Sequence, residues 1–131
     1  MRAAIVTVVA LGVAGIVAGV GAQQTGFKRT VLQQGDLSIA GREAVTAVAE
    51  FQPGATVGRH THPGEEVAYV LDGTILLEQE GKPTVTLGAG KTFLIPAGTV
   101  HNATNNGSGQ ARVLATYIVE KGKPLATPVA K

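Results

Sequence analysis

The chain has 131 residues, which is enough for one domain and too few for two ordinary hydrophobic cores. Its formal charge is only +2, from 11 basic and 9 acidic residues scattered along the sequence, and this balance argues against nucleic acid as a partner. Cysteine is absent, which excludes disulfides, thiolate metal sites and thiol nucleophiles, so any metal must be held by nitrogen and oxygen ligands.

The N-terminal segment has the pattern of a secretory signal peptide. Arg2 precedes a long apolar run, and small residues follow before the polar pair Gln23 and Gln24. We predict a signal peptide at residues 1–22, cleaved after Ala22, and a mature chain that is periplasmic or secreted with no membrane attachment. The alternative is an uncleaved anchor, because about 18 apolar residues can just span a bilayer.

The remainder predicts an all-β, single-domain protein. We expect an N-terminal arm at 23–35, a β-barrel at 36–120 and an extended surface tail at 121–131, which contains two prolines. Turn pairs such as Pro53-Gly54 and Asp72-Gly73 separate short apolar or alternating stretches. This spacing is typical of a sandwich or barrel of the jelly-roll kind. The predicted strands are 44–51, 55–62, 66–71, 74–80, 84–87, 92–95, 100–105 and 112–120.

All three histidines lie in two short segments, which indicates a metal site. His60 and His62 are two residues apart, so on a strand both rings point to the same face and can share one ion. Glu66 opens the next predicted strand, where its carboxylate can return toward the two rings. His101, just after the turn at Pro96, suits the role of fourth ligand.

Neutral imidazoles and one carboxylate suit one divalent transition metal, namely Fe, Mn, Ni, Co, Cu or Zn, better than calcium. The spacing selects Glu66 and not its neighbour Glu65, which we expect to be a solvated charge. Glu66 is also the candidate catalytic residue, because a carboxylate beside a metal can leave it to take a proton.

Two motifs carry a resemblance to a known family. Gly54, His60, His62, Glu66 and Gly73 match the pattern G-x5-H-x-H-x3-E-x6-G, and the second pattern, G-x5-P-x-G-x2-H-x3-N, is matched by Gly90, Pro96, Gly98, His101 and Asn105. The chain thus resembles the cupins, in particular the small single-domain bacterial members of the quercetin-dioxygenase-like group. The resemblance implies a jelly-roll barrel around one metal and a homodimer.

Other residues near the motifs have simpler expected roles. The motif glycines are expected in turns. Tyr69 alternates with Glu66 and should face away from the metal, and Arg59 should point outward. Phe93 and Asn102 receive no assignment.

The sequence leaves the function open among three classes, since one fold hosts many reactions. The leading hypothesis is a secreted metal-dependent cupin with dioxygenase-like oxidoreductase activity on a small organic substrate. The alternative is a non-catalytic module that binds a sugar or an organic acid. A structural protein that merely retains the ligands is the third.

Overall fold

A computed structural model of the chain describes residues 25–131, so the predicted signal peptide at 1–22 lies outside the described residues. Within that part the chain forms strands and turns only, and it has no helix long and apolar enough to cross a membrane. The strands are β1 (Phe27–Asp36), β2 (Arg42–Phe51), β3 (His60–Thr61), β4 (Gly64–Asp72), β5 (Thr74–Gln79), β6 (Val85–Gly88), β7 (Thr92–Ile95), β8 (His101–Thr104), β9 (Ala111–Glu120) and β10 (Thr127–Pro128).

The strands form two antiparallel sheets with non-sequential neighbours. The first sheet has the order β1-β2-β9-β4-β7, and the second has the order β10-β3-β8-β5-β6. Strands that are consecutive in the sequence therefore often belong to different sheets, as in a jelly roll. This confirms the predicted all-β jelly-roll fold.

The core lies between the sheets and follows from alternation along the strands. Every second residue of β9, from Ala111 to Val119, is buried, and β2 alternates in the same way from Val45 to Phe51. Many of these buried positions hold small residues such as Ala47 and Ala115, and few hold aromatic ones. The two sheets can therefore pack closely.

The expected N-terminal arm is largely a strand. β1 pairs with β2 from Phe27↔Phe51 to Asp36↔Glu43 and forms an edge of the first sheet. Beyond Arg29 all its residues are exposed, so the stretch lacks the alternating apolar pattern that identifies a half-buried strand. The barrel therefore begins before residue 36.

The predicted strand 55–62 is interrupted, and here the prediction was wrong. Only His60 and Thr61 belong to β3, with one isolated bridge between Thr56 and Thr104. Gly58 has φ of +89°, a left-handed conformation that leaves the strand. Its N–H donates to the side-chain oxygen Oδ1 of Asn102 at 2.9 Å.

The C-terminal tail follows the edge of the second sheet. Thr127 pairs with Thr61 and Pro128 with His60, and the N–H of Val129 donates to the carbonyl of Arg59 at 2.9 Å. The tail is thus extended over the surface, as predicted, and it covers the strand that carries His60.

The first residue of β4, Gly64, lies in close contact with the backbone of β9. A Cβ atom added at Gly64 would lie 1.9 Å from the carbonyl oxygen of Ile118. Glycine therefore allows β4 to approach β9 immediately before Glu66, which pairs with Tyr117.

Candidate metal centre

The four residues selected by the sequence meet between the two sheets. His60 lies on β3 and is paired with His101 on β8, so their side chains come from adjacent strands of the second sheet. His62 follows β3 directly, and Glu66 reaches across from β4 in the first sheet. All four are buried, with exposed fractions of 3% to 6%.

Their polar atoms converge on one small region. One ring nitrogen from each of His60, His62 and His101 lies within 4.8 Å of the others, a spacing that allows them to hold one metal ion. Glu66 Oε2 is 3.1 Å from Nε2 of His62 and 3.1 Å from Nε2 of His101. The structure thus brings the three predicted histidines together and places Glu66 in contact with two of them, His62 and His101.

Backbone carbonyls determine how the rings are oriented. His60 Nδ1 donates to the carbonyl of Gly58 at 2.7 Å, and His101 Nδ1 donates to that of Thr99 at 2.9 Å. His62 Nδ1 donates to the carbonyl of Leu125, in the tail, at 2.6 Å. These partners assign the proton to Nδ1 of each ring and leave the Nε2 lone pairs for a ligand role.

The donor set fits a divalent cation. With Nδ1 protonated, the Nε2 lone pairs of His60 and His62 face each other at 3.2 Å, and a cation held by both would remove their repulsion. Neutral imidazole nitrogens and a carboxylate oxygen are ligands that first-row divalent metals share. Burial from water strengthens their attraction for a cation.

The protonation states of His60 and Glu66 suit the binding of a cation. Burial lowers the pKa of His60 to about 4, and the hydrogen bond to Gly58 only partly opposes this effect, so the ring is neutral at pH 7. Burial alone would raise the pKa of Glu66, but the rings of His101 and His62, whose Nε2 atoms lie 3.1 Å from Oε2, outweigh it and lower the pKa to about 2. The carboxylate is therefore ionised.

A narrow cavity opens onto the centre from inside the barrel. Its free volume is about 20 Å³, which is close to the room that one or two waters need. The Tyr117 ring forms part of its wall and packs against the His62 ring, with centroids 4.6 Å apart. The residues that line it are Phe27, Arg29, Ala49, Phe51, Val57, His60, Glu66, Leu77, Phe93, His101, Ala103, Val113 and Tyr117.

Residues with lesser predicted roles also have defined positions in the structure. Glu65, Tyr69 and Arg59 are exposed, as predicted, and Phe93 lines the cavity. The motif glycines Gly54, Gly73, Gly90 and Gly98 all have positive φ, which confirms their turn role. Asn105 is fully buried and accepts from the N–H of Gly107 through Oδ1 at 2.9 Å.

Sequence reasoning missed the groups that orient the rings. The carbonyls of Gly58, Thr99 and Leu125 have no side-chain signature, so no motif could have identified them. Asn102 could have been noticed as a polar residue next to His101, but this pattern is only a weak indication of a role. Its Oδ1 accepts hydrogen bonds from the N–H of Gly58 and from the hydroxyl of Thr56, each at 2.9 Å. These two bonds hold the loop whose Gly58 carbonyl orients the His60 ring.

Comparison with known proteins agrees with this architecture. The family described as "Cupin domain" matches residues 47–117, more than half of the chain. The beta-alanine degradation protein BauB of Pseudomonas aeruginosa is 37% identical over 78 residues, which cover 58% of this chain and 82% of BauB. The oxalate-binding protein of Thermotoga maritima is 35% identical over 71 residues, 53% of this chain and 58% of that protein.

The chain spans about a third of the length of several other relatives, which include a transcriptional regulator and germin-like proteins. Among solved structures, an oxalate oxidase in complex with the substrate analogue glycolate superposes with a TM-score of 0.64 at 25% identity, covering 79% of this chain and 55% of that one. The matched family, the shared fold and the two complete motifs lead to one conclusion: the chain belongs to the cupin family and is a small single-domain member of it.

Proposed function

We propose that this cupin binds one divalent transition metal through His60, His62, Glu66 and His101 and acts on a small organic molecule beside it. The observation that carries the proposal is the convergence of three ring nitrogens within 4.8 Å, each ring oriented by a backbone carbonyl. Iron, manganese, nickel, cobalt, copper and zinc all accept these ligands.

A bound divalent ion would supply Lewis acidity to an oxygen atom of the ligand. The chain supplies orientation and exclusion of water, because the four ligand residues are buried and the cavity walls are mostly apolar. The low pKa of Glu66 supports a ligand role more than a base role, since the carboxylate stays ionised beside His62 and His101. To act as a base, Glu66 would have to take a proton that its surroundings disfavour.

The small cavity supports a small substrate. Its free volume of about 20 Å³ favours acids of a few heavy atoms over a polycyclic substrate of flavonoid size. Two of the matched proteins are named for oxalate, one as a binding protein and one as an oxidase. We therefore favour a small carboxylic acid, and a dioxygenase-like oxidation remains one candidate reaction.

The second candidate function is a binding module without catalysis. Glu66 is the one carboxylate among the residues that line the central cavity, and both of its short contacts go to histidines. Tyr117 is no ready base, because burial raises its pKa above the ordinary value. Because residues 25–131 place no second carboxylate in the cavity wall, the cavity supports holding a ligand at least as well as transforming it.

Metal loading and ligand turnover can be measured on the same preparation. We expect the protein to take up one equivalent of metal and to melt at a higher temperature when loaded, since the ion binds only the folded state. The loaded protein is then incubated with small carboxylic acids while oxygen uptake and acid concentration are followed. Consumption of an acid supports an enzyme, whereas stabilisation without consumption supports a binding module. Failure to bind any of the six metals would contradict both candidates.

We further propose that the mature chain is exported and dimeric. Export rests on the sequence pattern of residues 1–22. Dimerisation rests on the outer face of the first sheet, where Val67, Tyr69 and Leu94 are 48%, 45% and 55% exposed. Native mass spectrometry of protein from the periplasm or culture medium should show a chain that starts at Gln23 and pairs with a second copy. A full-length chain or a monomer would contradict the corresponding half of this proposal.

A further inference from the structure

Arg29 differs from the other arginines of residues 25–131. Arg42, Arg59 and Arg112 each pair with a carboxylate, whereas no carboxylate of the described residues lies within 4.0 Å of the Arg29 guanidinium. Its Nε atom is buried and has no hydrogen-bond partner. A buried donor without a partner is costly, so it usually marks a place where another group binds.

Arg29 forms part of the wall of the cavity beside the metal centre. Arg29 lines this cavity together with His60, Glu66 and His101. Its Cζ lies 5.4 Å from the ring centroid of Phe27 and 5.5 Å from that of Tyr117. The two rings hold the guanidinium by cation–π contacts, and its buried Nε–H remains without a partner.

The charges in the cavity favour an anion. A divalent ion on the four ligands, the ionised Glu66 and the guanidinium would together leave a net positive charge in a space whose other walls are mainly apolar. A guanidinium donates two parallel hydrogen bonds to a carboxylate, and such charge-assisted bonds are strong where water is excluded. A ligand carboxylate would satisfy the unpaired donor and offset this charge.

We propose that Arg29 binds the carboxylate of a small organic acid whose remaining oxygen atom reaches the metal centre. This inference rests on the proposed function and specifies its ligand class. Arg29 is thus a specificity residue that distinguishes acids from neutral molecules of the same shape. The narrow cavity favours the smallest acids, and glycolate, with one carboxylate and one hydroxyl group, is a suitable probe.

The test compares glycolate with glycolamide, its neutral amide, on metal-loaded protein by isothermal titration calorimetry. We expect glycolate to bind and glycolamide to bind at least about tenfold more weakly, because the amide cannot form the charge-assisted pair. Arg29→Gln should weaken glycolate binding at least about tenfold and leave glycolamide unchanged. Arg29→Lys should restore part of the preference for the acid. Lys28→Gln, at the exposed neighbouring position, is the control with the same change of charge.

Each outcome bears on one of the two proposals. Metal content measured separately shows whether Arg29→Gln retains an intact centre. If it retains the metal and still binds glycolate as the unaltered protein does, Arg29 is a packing residue and the inference is overturned. Absence of glycolate binding to the loaded protein would also overturn it, with the metal proposal intact. A protein that takes up no metal overturns both.

Discussion

Replacing Glu66 with glutamine should lower metal affinity by more than about 100-fold. Loss of a residue that only hydrogen-bonds to a metal ligand lowers affinity by at most about 100-fold, and loss of a ligand itself should exceed this. Glutamine has nearly the same shape but no charge, so it offers a weaker donor to a cation held by neutral imidazoles. The buried site should still fold, because burying an amide costs less than burying a carboxylate. Competition against a coloured chelator measures the affinity, and circular dichroism checks the fold.

Glu65→Gln is the matched control. Glu65 precedes Glu66 on β4 and carries the same charge, but its side chain is exposed on the opposite face of the sheet. We expect metal affinity to be unchanged in this variant. Equal losses in both variants would show that Glu66 acts through general electrostatics and not as a ligand. Unchanged affinity in Glu66→Gln would remove Glu66 from the ligand set.

Deleting residues 122–131 should lower metal affinity by about 10- to 100-fold, although no residue of this segment is a ligand. The deletion removes the Leu125 carbonyl, which accepts from His62 Nδ1 at 2.6 Å, and it removes the strand that pairs with β3. The His62 ring would then be free to rotate away from the centre. A chelator competition assay on the metal-loaded chain that ends at Lys121 gives the affinity.

A shorter deletion, of residues 130–131 only, provides the control, because it leaves β10 and the bond from Val129 to Arg59 in place. Hydrogen exchange adds a second readout. Amide exchange in β3 should accelerate in the longer deletion and stay unchanged in the shorter one. If the longer deletion binds metal as the full chain does, the Leu125 carbonyl has no role in orienting His62.

The sequence predicted the fold and the central cluster because both leave signals in side chains. Alternation along β2 and β9 reflects one buried face, and the separation of His60 from His62 reflects two rings on one side of the chain. The choice of Glu66 over Glu65 followed from the same alternation, and the structure buries the first and exposes the second. Turn glycines were visible because few other residues adopt positive φ.

The sequence did not predict strand β1, the interruption at Gly58 or the position of Arg29, because these depend on backbone contacts and on where a strand lies within the sheet. β1 is an edge strand with most residues exposed, so it lacks an apolar face. The strand is interrupted at Gly58, whose N–H donates to the side chain of Asn102, a residue far away in the sequence. Local sequence propensity contains no information about such a contact. Arg29 looked like one of several scattered charges until the fold placed it beside the centre.

The three carbonyls that orient the rings have a consequence for how long an ion stays bound. Gly58 precedes β3, Thr99 precedes β8 and Leu125 follows β9, so each ring depends on a separate segment. Opening of any one segment would release one ring, and the dissociation rate of the proposed ion would therefore be set by the segment that opens most often. The tail, whose residues are mostly exposed, is the least packed of the three. The residence time of the metal should thus follow the local stability of the C-terminus more closely than the global stability of the barrel.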